Sequence, residues 1–63
     1  MFWDNFMKLC IDRSTTPNAV CSKLGFSNAT ATHWKNGTIP NGDAILKLSD
    51  YFNVSTDYLL GRT

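Results

Sequence analysis

Four residues between positions 28 and 33 have types and spacing suited to molecular recognition. They are Asn28, Ala29, Thr32 and His33. On a helix, positions i, i+1, i+4 and i+5 form one continuous stripe, here of amide, methyl, hydroxyl and imidazole groups. Such groups suit the edges of DNA bases, because an amide can bind adenine bidentately and a methyl group can contact thymine. A solvated helix face would favour Glu, Lys or Gln, so the stripe suggests a binding surface, with an ordinary polar surface as the alternative.

The other reactive side chains indicate no second chemistry. His33 is the only histidine, Cys10 and Cys21 are the only cysteines, and their spacing matches no recognised zinc pattern. We therefore expect no metal, no cofactor and two small buried thiols. Catalysis would need a base beside a nucleophile or a pair of carboxylates, and no acidic residue lies one helical turn from His33. The chain is predicted not to be an enzyme and to have no small-molecule substrate.

Length and composition restrict the remaining classes of protein. The 63 residues, 43% hydrophobic and 17% charged, predict one folded domain over residues 1–63. No apolar run approaches the roughly 20 residues of a membrane span, and the first residues do not resemble a signal peptide. We therefore expect a cytoplasmic protein without membrane contact. The net charge of +1 is weak support for a polyanionic partner, so function has to be argued from the residue pattern.

Capping residues, helix breakers and apolar spacing predict an all-α bundle of five short helices without a strand. The first helix covers residues 2–12, and its apolar face is broader than a small core usually needs. The second helix is predicted to begin at Thr16-Pro17 and to end at Gly25, and the third to begin at Ser27 and to end at Asn36-Gly37. The fourth is predicted to begin at Pro40-Asn41, and the fifth to begin at Ser55 and to end at Gly61.

Helices two and three are expected to cross steeply. A turn of about three residues containing Gly25 cannot place two helices antiparallel along their length, so it predicts a helix-turn-helix over about residues 16–37. Val20, Ala31 and Trp34 would fill the wedge between the helices, and the small Cys21 would allow close approach. The polar stripe of the third helix would then face outward.

Several motifs coincide at a characteristic spacing. They are Leu24-Gly25 at the turn, Trp34-Lys35-Asn36-Gly37 after the stripe, Pro40 before the fourth helix, and Val54-Ser55-Thr56-Asp57-Tyr58-Leu59-Leu60 near the end. With them, the run from Thr16 to Leu60 closely resembles the Xre/Cro-repressor type of helix-turn-helix family, which includes the lambdoid phage repressors. Helix one fits the same pattern more loosely, so the resemblance covers nearly the whole chain.

The resemblance implies a phage or bacterial transcription regulator that binds double-stranded DNA sequence-specifically. It would read the major groove with the helix over residues 27–36 and would act as a repressor without a cofactor. The implied base contacts come from Asn28, Ala29, Thr32 and His33. The implied contacts with the DNA backbone come from Pro17, Asn18, Ser27, Lys35, Asn36 and Thr38.

The chain departs from the family pattern at some positions. Cys21 stands where Ala is usual, and Pro17 replaces a commonly polar residue, which removes one side-chain contact to phosphate. Only Lys23 and Lys35 supply positive charge close to the motif. We therefore expect weak binding by the monomer and a shallow salt dependence, because few counterions would be released.

A homodimer on a palindromic operator is the expected assembly, because one short helix reads few base pairs. Two reading helices would then lie roughly 34 Å apart. The expected interface comprises Tyr51, Val54, Tyr58 and Leu59, although Val54 and Leu59 could equally complete the core of the monomer. The alternative function is a helical protein–protein interaction module that has lost DNA binding, which the low charge and the aromatic-rich first helix would suit.

Overall fold

The architecture is entirely helical over the part of the chain that the computed structural model describes, residues 2–27 and 29–61. These residues form five α-helices and no strand, which confirms the predicted fold class. The helices are α1 (Phe2–Asp12), α2 (Pro17–Lys23), α3 (Thr30–Lys35), α4 (Gly42–Phe52) and α5 (Thr56–Leu60). None of these described helices is long and apolar enough to cross a membrane.

Buried side chains from all five helices form one core. The rings of Phe6 on α1 and Phe52 on α4 are both fully buried, with centroids 6.1 Å apart. The predicted inner positions of α4, which include Ile45 and Leu48, are buried as expected from their helical spacing. Helix α5 packs against both α1 and α4 and closes the core with Leu59.

Most of the helix ends are where the sequence predicts them, and they are set by side-chain caps or by residues in the left-handed backbone conformation. Thr16 caps α2, Asn41 caps α4 and Ser55 caps α5. Each accepts a hydrogen bond from the backbone N–H three residues later, at 3.2, 2.9 and 3.0 Å respectively. Gly25 after α2 and Gly61 after α5 take positive φ values of 86° and 74°. These ends follow from local chemistry, which explains why the sequence predicts them.

The start of α3 differs from the prediction. Ser27 does not cap the helix, which begins at Thr30 with Ala29 at the cap position and no side-chain cap bond. The Ser27 hydroxyl instead pairs with the Thr30 hydroxyl at 2.9 Å, and the Thr30 N–H donates to the Ser27 carbonyl at 3.1 Å. Hydroxyl side chains offer the backbone such local alternatives to a helical turn. Because α2 ends at Lys23 and α3 begins at Thr30, the two helices are farther apart in sequence than the expected three-residue turn.

Two long-range hydrogen bonds join distant parts of the chain. The side-chain amide of Asn5 on α1 donates to the backbone carbonyl of Tyr58 on α5 at 2.8 Å. The guanidinium of Arg13 donates to the carbonyl of Phe52 at 2.8 Å and lies 5.7 Å from the centre of its ring. Both bonds pair polar groups at helix surfaces, so they help to fix α1 relative to α4 and α5.

Candidate nucleic-acid interface

The wedge between α2 and α3 has the predicted composition. Val20 and Cys21 on α2 and Ala31 and Trp34 on α3 are all buried. The connection turns back sharply at Gly25, and the next amide, that of Phe26, donates to the carbonyl of Cys21 at 2.8 Å. Small side chains at the contact let the two helices approach closely, which leaves the opposite face of α3 outside.

Trp34 anchors α3 to the rest of the molecule. Its ring makes edge-to-face contacts with Phe2, Phe6 and Phe26, with centroids 5.5, 5.6 and 5.5 Å away. Such contacts between aromatic rings stabilise a defined mutual orientation. Because two of these partners are on α1 and one precedes α3, they restrict rotation of α3 about its own axis. The direction of the outer face of α3 is therefore set by the aromatic core.

The outer face of α3 carries the predicted stripe. Ala29, Thr32 and His33 are exposed, while Ala31 and Trp34 on the other face are buried. Asn28, the fourth member of the stripe, lies outside the described residues. The three described members present a methyl group, a hydroxyl and an imidazole to solvent, which can contact base edges as hydrogen-bond partners or apolar groups.

The six predicted backbone-contacting residues lie around this face. Five of them are exposed and Pro17 is half-buried. Pro17, Asn18 and Lys35 line one groove together with Thr32. Ser27 lines a neighbouring groove that also includes Asn18.

The last two of the six predicted backbone-contacting residues, Asn36 and Thr38, come after the end of α3 in the sequence. Asn36 is its C-cap residue, before Gly37 with φ 112°. Thr38 lines a third groove together with His33. The structure thus places these candidates on the surfaces that flank the stripe.

The sequence interpretation missed two residues next to the candidate site. Trp3 and Met7 of α1 line the groove that contains Pro17, Asn18 and Lys35. Both side chains are half-buried. The only signal in the sequence is the unusually broad apolar face of α1, which indicates surplus apolar surface and does not indicate its neighbours. Their placement beside α2 and α3 depends on how the helices pack.

The buried thiols lie apart from the exposed stripe. Cys10 and Cys21 are both free and buried, as predicted. Burial, and to a lesser extent the charge that Cys21 carries when ionised, together raise the pKa of Cys10 from 9.0 to about 11. Burial also raises the pKa of Cys21. Among the described residues, no three His, Cys, Asp or Glu side chains form a group that could hold a metal ion.

The residues expected at a dimer interface differ in exposure. Tyr51, Val54 and Tyr58 are half-buried, so part of each side chain reaches the surface. Leu59 is 0% exposed, so its side chain belongs to the core of the monomer, the alternative that the sequence left open for it. The packing of α5 on α1 and α4 covers this side chain, which the spacing of residues within α5 does not show.

These helices define a helix-turn-helix domain. The family described as Helix-turn-helix matches residues 7–59 of the chain. The chain is also 40% identical over 48 residues to the HTH-type transcriptional regulator ImmR of Bacillus subtilis (strain 168), an alignment that covers 75% of this chain and 38% of that protein. No solved structure matches the chain significantly. The chain belongs to the Xre/Cro type of helix-turn-helix family, a family of DNA-binding transcription regulators that are generally not enzymes.

Proposed function

We propose that this chain binds double-stranded DNA sequence-specifically as a transcriptional regulator, with α3 in the major groove. The observation that carries the proposal is the neutral, exposed face of α3, held outward by the buried Ala31 and Trp34. Membership of a DNA-binding family supports the same function. Occupying an operator would make the chain a repressor, because a bound domain blocks access to the DNA beneath it.

The exposed face of α3 suits direct reading of base edges. The hydroxyl of Thr32 and the imidazole of His33 can each donate or accept hydrogen bonds, and the methyl group of Ala29 can contact a thymine methyl. Asn28 is proposed for the same role on its helical spacing. Lys35 lies next to this face and brings positive charge to the phosphates, which fixes position without reading sequence.

A homodimer is the proposed active form on DNA. A helix of six residues, Thr30–Lys35, reads too few base pairs to select one site in a genome. Two copies related by a two-fold axis would read two half-sites roughly 34 Å apart. The half-buried Tyr51, Val54 and Tyr58 are the proposed contacts between the copies, because a second copy would cover their exposed parts.

Selection of sites from a random duplex pool tests the proposed function. A recurrent sequence should be enriched, and His33→Ala should weaken binding to it by about 1–3 kcal/mol while changing binding to random DNA little. Lys35→Ala is the matched control on the same helix, because loss of a phosphate contact should weaken both complexes alike. Fluorescence anisotropy on the selected and random duplexes measures the affinities of the wild type and of both variants.

Two results would contradict the proposal. Equal losses on both DNAs for His33→Ala would show that its imidazole reads no base. A pool without enrichment, together with no duplex binding at low salt and high micromolar protein, would favour the protein–protein interaction module instead. Circular dichroism of each variant separates loss of contact from loss of fold.

A further inference from the structure

One groove beside α3 shares only Thr32 with the residues proposed to read bases. It has a volume of about 340 Å³ and lies between α1, the start of α2 and α3. We propose that this groove holds a sugar-phosphate strand of DNA, with the indole of Trp3 against a deoxyribose and its Nε1–H donated to a phosphate. This inference rests on the proposed function and adds α1 to the DNA-binding surface.

The charge of the groove favours phosphate. Among the described residues, Lys35 is the only charged side chain in the lining, and it is a cation. Two other grooves at the ends of α3 include carboxylates: one contains Asp43 and the other contains Asp4 beside Lys35. A phosphate in either of those would meet a like charge, whereas the groove lined by Trp3 has a cation and no carboxylate in the described part of its lining, so electrostatics favour it.

The shape of the lining favours a sugar attached to that phosphate. Trp3, Met7 and Pro17 form an apolar side, and Thr16, Asn18 and Thr32 supply hydroxyl and amide groups. A deoxyribose presents carbon-bound hydrogens, and its linked phosphates accept hydrogen bonds. Trp is suited to such a mixed partner because its ring is apolar while its N–H is a donor.

Continuity with the polar stripe identifies the occupant as DNA. Thr32 belongs both to the exposed face of α3 and to this groove. When a helix enters the major groove, the preceding helix of the motif crosses the DNA backbone. The groove contains Pro17 and Asn18 from the start of that preceding helix, so one strand would pass between α2 and α1.

A contact of this kind explains how a chain with a net charge of +1 could bind a polyanion. Packing on a sugar and a hydrogen bond from a neutral donor release no counterions, so they add affinity without steepening the salt dependence. Because every nucleotide has the same sugar and phosphate, the contact should strengthen binding to all duplexes alike.

Trp3→Phe tests the groove with little change to the core. The variant keeps a ring that can contact Phe6, 5.6 Å from Trp3 between centroids, but it lacks the indole N–H and the second ring. We expect binding to weaken about two- to tenfold on selected and random duplexes alike. The control is Ile11→Ala, a 69% exposed residue on the same helix that does not line the groove, which should bind as the wild type does.

Quenching of tryptophan fluorescence by acrylamide supplies a second readout in the wild-type protein. Trp34 is only 5% exposed, so the quenchable emission comes mainly from the half-buried Trp3, and Trp3→Phe should remove it. A saturating duplex should protect the wild-type signal. A purely structural role for Trp3 would produce no such protection.

Either readout can overturn the inference. Unchanged affinity of Trp3→Phe, or unchanged acrylamide quenching of the wild type at saturating duplex, would place Trp3 outside the DNA contact. If the wild-type protein still binds duplex DNA in that experiment, the contact by Trp3 is excluded and the proposed function still stands. A wild-type protein that binds no duplex at all would overturn the proposed function with it.

Discussion

Cys10 and Cys21 illustrate how the surroundings of a side chain set its chemistry. Both thiols are buried and their pKa values are raised, that of Cys10 to about 11, mainly because burial disfavours the charged thiolate. The thiolate is the form that reacts with oxidants, metals and alkylating reagents. At neutral pH these residues therefore act as small apolar groups of the core.

The raised pKa of Cys10 predicts a loss of stability at high pH. The ordinary pKa of a cysteine thiol is 9.0, and that of Cys10 in the folded chain is about 11. At pH values between these two, the folded chain holds the thiol proton of Cys10 more tightly than the unfolded chain does. The stability that the neutral thiol contributes is therefore present below the lower value and is lost as the pH rises towards the upper one. The free energy of unfolding should fall by at most about 1.4 kcal/mol per pH unit for each such thiol.

Urea unfolding across this pH range measures the effect. The control is the double variant Cys10→Ala, Cys21→Ala, which lacks both thiols and keeps every other side chain. Its stability should fall less steeply than that of the wild type. Parallel curves for the two proteins would contradict the prediction.

The connection between α2 and α3 shows how one backbone conformation can orient a whole helix. Gly25 has a φ of 86°, and a Cβ added there would meet nothing within 4 Å. The need for glycine is therefore conformational, since L-residues disfavour this region whatever space is available. The direction in which the chain leaves α2, and with it the placement of α3, depends on that conformation.

Gly25→Ala is expected to lower the free energy of unfolding by about 1–2 kcal/mol through backbone strain. Gly42→Ala is the matched control, because a Cβ at Gly42 also meets nothing within 4 Å and its φ is not positive. The control should be neutral or stabilising by up to about 1 kcal/mol, since alanine restricts the unfolded chain. Chemical denaturation of both variants checks the contrast, and equal effects would exclude strain at Gly25 as the cause.

The stability of the short α3 depends on the molecule as a whole. Isolated helices shorter than about 12–15 residues are marginal in water, so the six residues of Thr30–Lys35 depend on tertiary packing. Trp34 supplies that packing through Phe2 and Phe6, and Phe6 in turn contacts Phe52 on α4. A change in the packing of these aromatic rings should therefore reach the exposed face of α3.

The proposed assembly of two copies on DNA is also a property of the whole molecule, and it can be tested. Sedimentation with a selected palindromic duplex should show two protomers per site, and Tyr51→Ala should weaken binding of the second. Leu46→Ala is the matched control, because Leu46 is 58% exposed on the same helix and lies outside the proposed interface. One protomer per full site would contradict the dimer proposal.

Much of this architecture could be read directly from the chain. Thr16, Asn41 and Ser55 cap helices as expected, and Ile45 and Leu48 are buried as their spacing predicts. Capping and helical periodicity involve residues only a few positions apart, so short stretches of sequence contain the necessary information. The exposed positions of Thr32 and His33 follow from the same periodicity.

Other features depend on contacts between residues far apart in sequence. The hydroxyl pair of Ser27 and Thr30 moves the start of α3, and Leu59 is covered by helices that its own segment cannot specify. The groove joining Trp3 to Lys35 exists only because α1, α2 and α3 meet at particular angles. Periodicity says which face of a helix is apolar, but packing against the other helices determines whether that face meets the core, a partner or DNA.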